Sequence, residues 1–264
     1  MVGKIKGTGS YRPVQVWDND KLSHMMDTSD EWIRGRTGIG QRHIANQEET
    51  VAYMAASAAG EALRAAGVRP EEIDLILVST MSSEKIMPCA ACEVQKLIGA
   101  ANATCFDLNS ACTGFLLALN TAQAYLGQQI YKRALVIGAE VLSHLTNWQD
   151  RSTCVLFGDG AGAVVLEAED DAVYIQATHS IGKSGKALTC SSRNQPEFIE
   201  NGADLAPTYM QMDGKEVFKF AVSKVPEVIQ EVLEKAGKTK ETEKTKESAG
   251  SAKDRRCCEC SRLS

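Results

Sequence analysis

One cysteine lies where an apolar, strand-like segment changes into a helix-like one. Residues 105–108 are typical of a buried strand, and residues 115–126 are apolar on nearly every side, as in a core helix. Cys112 lies between them, among small and polar residues. There, backbone N–H groups and the positive end of the helix dipole favour the thiolate form of the sulfur. A small buried hydrophobic residue is the alternative interpretation, and it fits the local pattern equally well.

The elements that position this cysteine alternate between strands and helices. The predicted strands span residues 4–10, 73–79, 105–108, 134–139, 163–167 and 172–177. The first predicted helix begins at Asp30, after a Ser29 cap. Four further helices are predicted at residues 50–66, 88–98, 115–126 and 216–236. This alternation predicts an α/β layered fold with a mainly parallel sheet.

Composition excludes several classes of protein. The chain has 264 residues, of which 44% are hydrophobic and 24% charged, as in soluble globular proteins. Because no apolar run approaches the length of a bilayer span, we expect no membrane association and a cytoplasmic location. The nine cysteines are then expected to be reduced thiols, and the net charge of −5 argues against nucleic acid as a partner.

Two further motifs favour structural interpretations over ligand binding. The glycine-rich residues 157–166 lead into a strand, whereas a dinucleotide fingerprint opens a helix, so close backbone packing is favoured. Cys89 and Cys92 have metal-like spacing but no second pair of ligands beside them. A second cysteine cluster, at residues 257–260, lies in an atypical tail. We expect no metal site at either cluster.

The sequence around Cys112 resembles that of a known family. Residues 109–115, Asn-Ser-Ala-Cys-Thr-Gly-Phe, are similar to the nucleophile segment of β-ketoacyl-acyl carrier protein synthase III, a condensing enzyme of the thiolase fold. Residues 29–39, 157–166 and 211–219 also match family segments, and the resemblance runs from about residue 4 to residue 237. It implies two similar layered halves: a complete first half at 1–170, carrying Cys112, and part of the second at 171–237.

The resemblance also implies a reaction. Cys112 would attack the thioester of acetyl-CoA or another acyl-CoA and hold the acyl group. Condensation with malonyl-acyl carrier protein would then give the 3-ketoacyl product that initiates fatty acid biosynthesis. No cofactor is implied, since acyl-CoA is a substrate, and the family is homodimeric.

Roles for further residues follow only from the resemblance. Trp32, Arg36 and Arg151 would hold the nucleotide end of coenzyme A, with Thr28 at the same entrance. The other implied roles are the pantetheine tunnel for Met212, Gly214 and Phe218, the partner's acyl pocket for Met87, and carrier-protein contact for Lys219. Without the resemblance, Trp32 is an ordinary aromatic residue, the arginines are solvated charges and Phe218 is a core residue.

The match ends after Gly237. There the family continues with a histidine and an asparagine that complete its catalytic triad, but here no histidine follows His179 and no asparagine follows Asn201. Residues 238–264 instead hold eight Lys or Arg and five Asp or Glu with almost nothing apolar, which predicts disorder. The expectation is a truncated or frameshifted synthase with impaired activity. The alternatives are a non-catalytic remnant that at most binds acyl-CoA or a full-length partner, and a starter acyltransferase of secondary metabolism.

Overall fold

The computed structural model describes residues 1–170, 173–191 and 209–238. The predicted disordered tail beyond Lys238 lies outside these ranges. Within them, no helix is both long and apolar enough to cross a membrane.

The described residues belong to two compact units. The first consists of Met1–Tyr174 with Leu188–Met212, and the second of Ile175–Ala187 with the chain from Asp213 onward. The first unit therefore contains all of the predicted first half, residues 1–170. The predicted boundary at residue 170 stays a prediction.

A five-stranded sheet forms the centre of the first unit. Its strands are β1 (Val2–Tyr11), β4 (Leu75–Ser79), β5 (Thr104–Leu108), β6 (Arg133–Val141) and β7 (Asp159–Glu169), in the spatial order β1-β7-β6-β4-β5. Two short antiparallel ribbons complete the strands: β2 (Gln15–Asp18) with β3 (Gln41–Ile44), and β8 (Leu188–Thr189) with β9 (Gln211–Met212).

The helices also follow the sequence pattern closely. They are α1 (Asn19–Ser23), α2 (Asp30–Thr37), α3 (Val51–Ala66), α4 (Ala90–Ile98), α5 (Gly114–Gly127) and α6 (Gly214–Lys235). Helix α3 begins after Thr50, whose Oγ1 accepts a hydrogen bond from Tyr53 N, and ends at Gly67, which has a φ of +65°. These are the predicted cap and stop.

The prediction of a mainly parallel sheet is wrong. Strand β4 pairs in parallel with β5 and β6, but β7 pairs antiparallel with both β6 and β1. Helices α4 and α5 provide the crossovers that parallel pairing needs. The chain between β6 and β7 contains only the 3-10 turn Leu142–Leu145, so it returns beside β6 in the opposite direction.

Helices cover the sheet on both faces, and alternate residues of β4 show this directly. Ile76 and Val78 lie in a core cluster with α3 and α4, whereas Leu75 and Leu77 lie in a second cluster with α5. All five residues of β4 are buried, as expected for a central strand. Truncating one of these buried aliphatic side chains would destabilise the fold by about 2–5 kcal/mol. Burial on both faces of β4 therefore holds the helices against the sheet.

The prediction of a strand at residues 172–177 is also wrong. Residues 173–177 form no regular element, and residue 172 lies outside the described part of the chain. Strand β7 already has β6 on one side and β1 on the other. Residues 173–177 therefore cannot pair with β7, because both edges of that strand are already occupied.

The second unit is built around α6. Asp213 caps this helix by accepting hydrogen bonds from Lys215 N and Glu216 N, so it begins two residues before the predicted start. In the same unit, His179 Nε2 lies 2.6 Å from Glu231 Oε2. Phe218 and Ile229 are 68% and 51% exposed, so Phe218 is not a core residue in this chain.

Candidate active site

Cys112 is an exposed thiol at the start of α5. It lies in the 3-10 turn Ala111–Thr113, between the end of β5 and the first residue of α5, Gly114. Thr113, the N-cap of α5, has no capping hydrogen bond from its side chain to any residue that the structure describes. Gly114 N, the first N–H group of the helix, donates to Ala111 O, and the positive end of the α5 dipole beside the sulfur favours negative charge there.

The residue before Cys112 has a strained backbone. Ala111 has a φ of +44°, in the left-handed region that costs a non-glycine residue about 1–2 kcal/mol. Three local contacts hold the turn: Thr113 N donates to Ser110 O, Thr113 Oγ1 donates to the same oxygen, and Ala111 N donates to Asn109 Oδ1. Strain at this position turns the chain sharply and leaves the Cys112 side chain exposed.

The start of α5 lies very close to the end of β4. A Cβ atom added to Gly114 would lie 2.0 Å from Ser79 Oγ. On the same helix, Phe115 lies against Gly138 of β6, where an added Cβ would be 3.5 Å from the phenyl ring. Glycine at both positions allows α5, and with it Cys112, to approach the carboxyl ends of β4 and β6.

The segment that follows β4 is anchored to the end of β6 by a half-buried carboxylate. Glu140 Oε1 accepts from Met81 N at 3.0 Å, and Glu140 also accepts from the hydroxyls of Thr80 and Ser82. Burial raises the pKa of Glu140, and the Ser82 hydrogen bond opposes that rise. No sequence motif singled out Glu140, although a glutamate directly after the apolar run 134–139 was a usable signal.

A second carboxylate positions α4. Asp107 of β5 accepts hydrogen bonds from Ala90 N and Ala91 N, both at 2.8 Å, and so satisfies two orphan N–H groups of the helix. Met87, which precedes this helix, is 83% exposed. Asp107 was also missed, because its role depends on pairing between elements that are distant in sequence.

The structure brings together the three residues predicted at the mouth of a coenzyme A site. Arg36 Cζ lies 4.3 Å, and Arg151 Cζ 5.2 Å, from the centre of the Trp32 ring. Guanidinium groups stack favourably on an indole ring, and two of them together attract phosphate. This cluster of three side chains is called the Trp32 cluster below.

Local structure explains the positions of the Trp32 cluster. Ser29 Oγ accepts from Trp32 N at 3.1 Å and starts α2, which places Arg36 one turn after Trp32 on the same face. Arg151 arrives from the segment between β6 and β7, where its Nη1 donates to Asp27 O at 2.7 Å.

Thr28 contributes a buried polar atom next to the cluster in sequence. Its Oγ1 is buried and has no hydrogen-bond partner among the described residues. Buried hydroxyl groups normally have a partner, so an atom of this kind fits a site that a polar ligand completes.

Cys112 and the Trp32 cluster lie at the same edge of the sheet. Cys112 follows the carboxyl end of β5, and the segment carrying Arg151 follows the carboxyl end of β6. Strands β4, β5 and β6 are parallel, so their carboxyl ends coincide. Ligands of layered α/β proteins bind at this edge.

The remaining predicted residues fall in both units. Met212 is half-buried in β9, in the first unit. Gly214, Phe218 and Lys219 belong to α6 in the second unit, where Gly214 is the first helical residue and the other two are partly or largely exposed. Their roles toward a ligand stay predictions.

Helix α5 is not buried on all sides, since Leu116 is 54% exposed while Ala118, Ala122 and Leu126 are fully buried against the sheet. The glycine-rich segment leads into β7, and a Cβ added to Gly158 would lie 3.0 Å from Arg42 Cβ. Among the described residues, no three or more His, Cys, Asp or Glu side chains form a group suited to a metal ion.

Comparisons with known proteins agree with one another. A family profile described as 3-oxoacyl-[acyl-carrier-protein (ACP)] synthase III matches residues 106–184. The β-ketoacyl-[acyl-carrier-protein] synthase III of Clostridium acetobutylicum is 47% identical over 235 residues, which cover 89% of this chain and 72% of that protein.

Solved structures give the same result. A 3-oxoacyl-[acyl-carrier-protein] synthase III from Aquifex aeolicus VF5 is 45% identical, with a TM-score of 0.76, over 90% of this chain and 73% of that chain. A priming β-ketosynthase from the R1128 polyketide biosynthetic pathway is 37% identical, with a TM-score of 0.83, over 90% and 71%. The chain described here therefore belongs to the β-ketoacyl-acyl carrier protein synthase III family and has its thiolase-type layered fold.

Proposed function

We propose that this chain performs the acyl-transfer chemistry of its family, taking an acyl group from acyl-CoA onto Cys112. One observation carries the proposal: an exposed thiol at the start of α5 and a Trp32 cluster suited to a nucleotide lie at the same edge of the sheet. The C. acetobutylicum relative is named for the corresponding synthase activity.

The first half-reaction needs only residues of the described chain. The Cys112 thiolate attacks the thioester carbonyl, and a bond forms between its Sγ and the acyl carbon. Negative charge develops on the carbonyl oxygen, where N–H groups at a helix start stabilise it. The bond to the sulfur of coenzyme A then breaks, and coenzyme A leaves as a thiolate that takes up a proton. No cofactor is required, because the thioester already activates the acyl group.

The nucleotide end of coenzyme A is proposed to bind at the Trp32 cluster. The two guanidinium groups of the Trp32 cluster suit phosphates, the indole ring suits stacking with adenine, and the Thr28 hydroxyl offers a hydrogen bond. From the family resemblance, Met87 would limit acyl length across a homodimer, and Met212, Gly214 and Phe218 would line the pantetheine tunnel. Lys219 would meet the acidic carrier protein.

The second half-reaction is condensation with malonyl-acyl carrier protein. In the family it uses a histidine and an asparagine beyond the position of Gly237, and the 264 residues hold no histidine after His179. We therefore propose that this chain, assayed alone, becomes acylated but forms little 3-ketoacyl product. Acyl-CoA and a carrier protein as substrates favour a cytoplasmic location.

A second candidate is priming of polyketide synthesis. It is favoured by the similarity to the priming β-ketosynthase of the R1128 pathway, at 37% identity. The two candidates share the Cys112 step and differ in the acyl group and in the carrier protein that accepts the product.

Acylation is tested by intact-protein and peptide mass after incubation with acetyl-CoA. The expected product carries one acetyl group on the tryptic peptide 97–132, which contains Cys112, and Cys112→Ala removes it. Cys105 lies in the same peptide, so Cys105→Ala is the matched control that keeps the acetyl group. Acetylation that survives Cys112→Ala, or none in the wild type, would overturn the proposal, and rapid 3-ketoacyl formation would overturn the expected impairment.

A further inference from the structure

Three cysteines that the proposed acyl transfer does not use lie together at the start of α4. Cys89 is the N-cap of α4, and Cys92 lies one turn into it; their sulfur atoms are 3.4 Å apart. Cys105, on the adjacent strand β5, also contacts the Cys92 sulfur. All three are half-buried free thiols.

The backbone already has the geometry of a tight Cys-X-X-Cys turn. Cys92 N donates to Cys89 O at 3.1 Å, and Glu93 N donates to the same oxygen at 3.3 Å. A disulfide needs a sulfur–sulfur distance of about 2.05 Å, so the two atoms must approach by only about 1.4 Å, which side-chain rotation can provide. Asp107, by accepting from Ala90 N and Ala91 N, holds this turn in place during the change.

From this geometry we infer that Cys89 and Cys92 form a reversible dithiol–disulfide site, separate from the Cys112 nucleophile. Cys-X-X-Cys pairs at helix N-termini are the arrangement used in thiol–disulfide exchange. A metal is a poorer occupant, because the described residues around the pair provide no third or fourth ligand of suitable geometry.

The third thiol, Cys105, is a poor competitor for the pair. Cys105 Sγ donates to Ala103 O at 3.5 Å, and burial raises the pKa of Cys105 to about 12. A thiol that stays protonated is a poor nucleophile. Contact with Cys89 raises the pKa of Cys92, with burial adding to the effect.

A small-molecule disulfide such as oxidised glutathione oxidises the pair in two exchange steps. Cys89 Sγ loses its proton and attacks one sulfur of glutathione disulfide, which forms a mixed disulfide and releases one glutathione thiolate. Cys92 Sγ, also deprotonated, then attacks Cys89 Sγ and releases the second glutathione. Two protein thiols are oxidised, one glutathione disulfide is reduced to two thiols, and the two released protons end on the glutathione.

The test uses the full chain in buffers of reduced and oxidised glutathione, followed by acid quenching, alkylation and tryptic peptide mapping. Residues 86–96 form one tryptic peptide that contains Cys89 and Cys92 and no other cysteine. Oxidising buffer is expected to convert most of this peptide to an unalkylated form two hydrogens lighter, and dithiothreitol is expected to restore the doubly alkylated form. Cys105→Ala and Cys112→Ala should leave this conversion unchanged, and Cys89→Ser should abolish it.

Three outcomes would each overturn the inference. The first is a doubly alkylated 86–96 peptide at every ratio of oxidised to reduced glutathione. The second is a persistent glutathione adduct on Cys89 or Cys92. The third is a cross-link between peptides 86–96 and 97–132, which would show that Cys105 or Cys112 is the true partner. None of these readouts depends on acyl transfer, so the proposed function is tested separately.

Discussion

The guanidinium carbon of Arg36 lies 4.3 Å from the centre of the Trp32 ring, one turn further along the same helix. This contact is local, but Arg151 reaches the same ring from a segment far away in the sequence and lies 5.2 Å from its centre. The pair of cations over one indole ring is the strongest structural support for a nucleotide-bearing substrate.

We expect Trp32→Ala to weaken acetyl-CoA binding by about tenfold, because stacking of a base on an aromatic side chain contributes roughly 1–3 kcal/mol. The measurement is the concentration dependence of Cys112 acetylation. A short acetyl thioester without the nucleotide serves as the control and should acylate both proteins equally. Equal losses with both thioesters would show instead that Trp32 acts by supporting the fold around Cys112.

We expect Gly114→Ala to destabilise the chain by about 1–3 kcal/mol, because its Cβ would lie 2.0 Å from Ser79 Oγ. The backbone of Gly114 is right-handed helical, with a φ of −58°, so alanine has no conformational penalty there and the cost is steric. The double variant with Ser79→Ala should recover most of the loss in urea unfolding, since the hydroxyl is removed. Failure of that rescue would contradict the close approach of α5 to β4.

Glu140→Ala should lower the free energy of unfolding by about 1–3 kcal/mol, because Met81 N loses its half-buried acceptor. It should also slow the proposed acylation of Cys112, since the segment after β4 lies at the same edge of the sheet as Cys112. Glu140→Gln keeps one acceptor oxygen and should cost less on both measures. Glu48→Ala, at an exposed glutamate, is the matched control and should change neither; equal effects of all three variants would contradict the anchoring role.

The stability of the fold should depend on pH through the Asp150 carboxylate. Hydrogen bonds, first from the Ser152 hydroxyl and then from Ser152 N, hold the pKa of Asp150 below its ordinary value. A lowered folded-state pKa stabilises the fold above the unfolded-state pKa of about 3.9, and this stabilisation is lost as pH falls through the folded-state value.

Asp150→Asn should therefore destabilise the chain by about 1 kcal/mol at pH 7 through weakened hydrogen bonds, and the gap to wild type should narrow below about pH 4. Urea unfolding at several pH values measures the gap. A gap that stays constant or widens on acidification would contradict the assignment.

Local interactions were readable from the sequence because both partners lie within one turn. The Ser29 and Thr50 caps, the stop at Gly67 and the spacing of Trp32 and Arg36 all follow from neighbouring residues. The uninterrupted apolar run of β4 likewise determined a central strand, since only a strand buried on both faces tolerates it. The sequence around Cys112 was enough to indicate the family.

Tertiary structure decided what depends on contacts between distant residues. All strands of a sheet together determine which edges remain free. The antiparallel course of β7 and the unpaired residues 173–177 therefore could not be predicted from the sequence. The same holds for Arg151 on the Trp32 ring and for Asp107 on α4. Cys89 and Cys92 are adjacent by spacing, but only the folded chain places their sulfur atoms 3.4 Å apart, with Cys105 beside them.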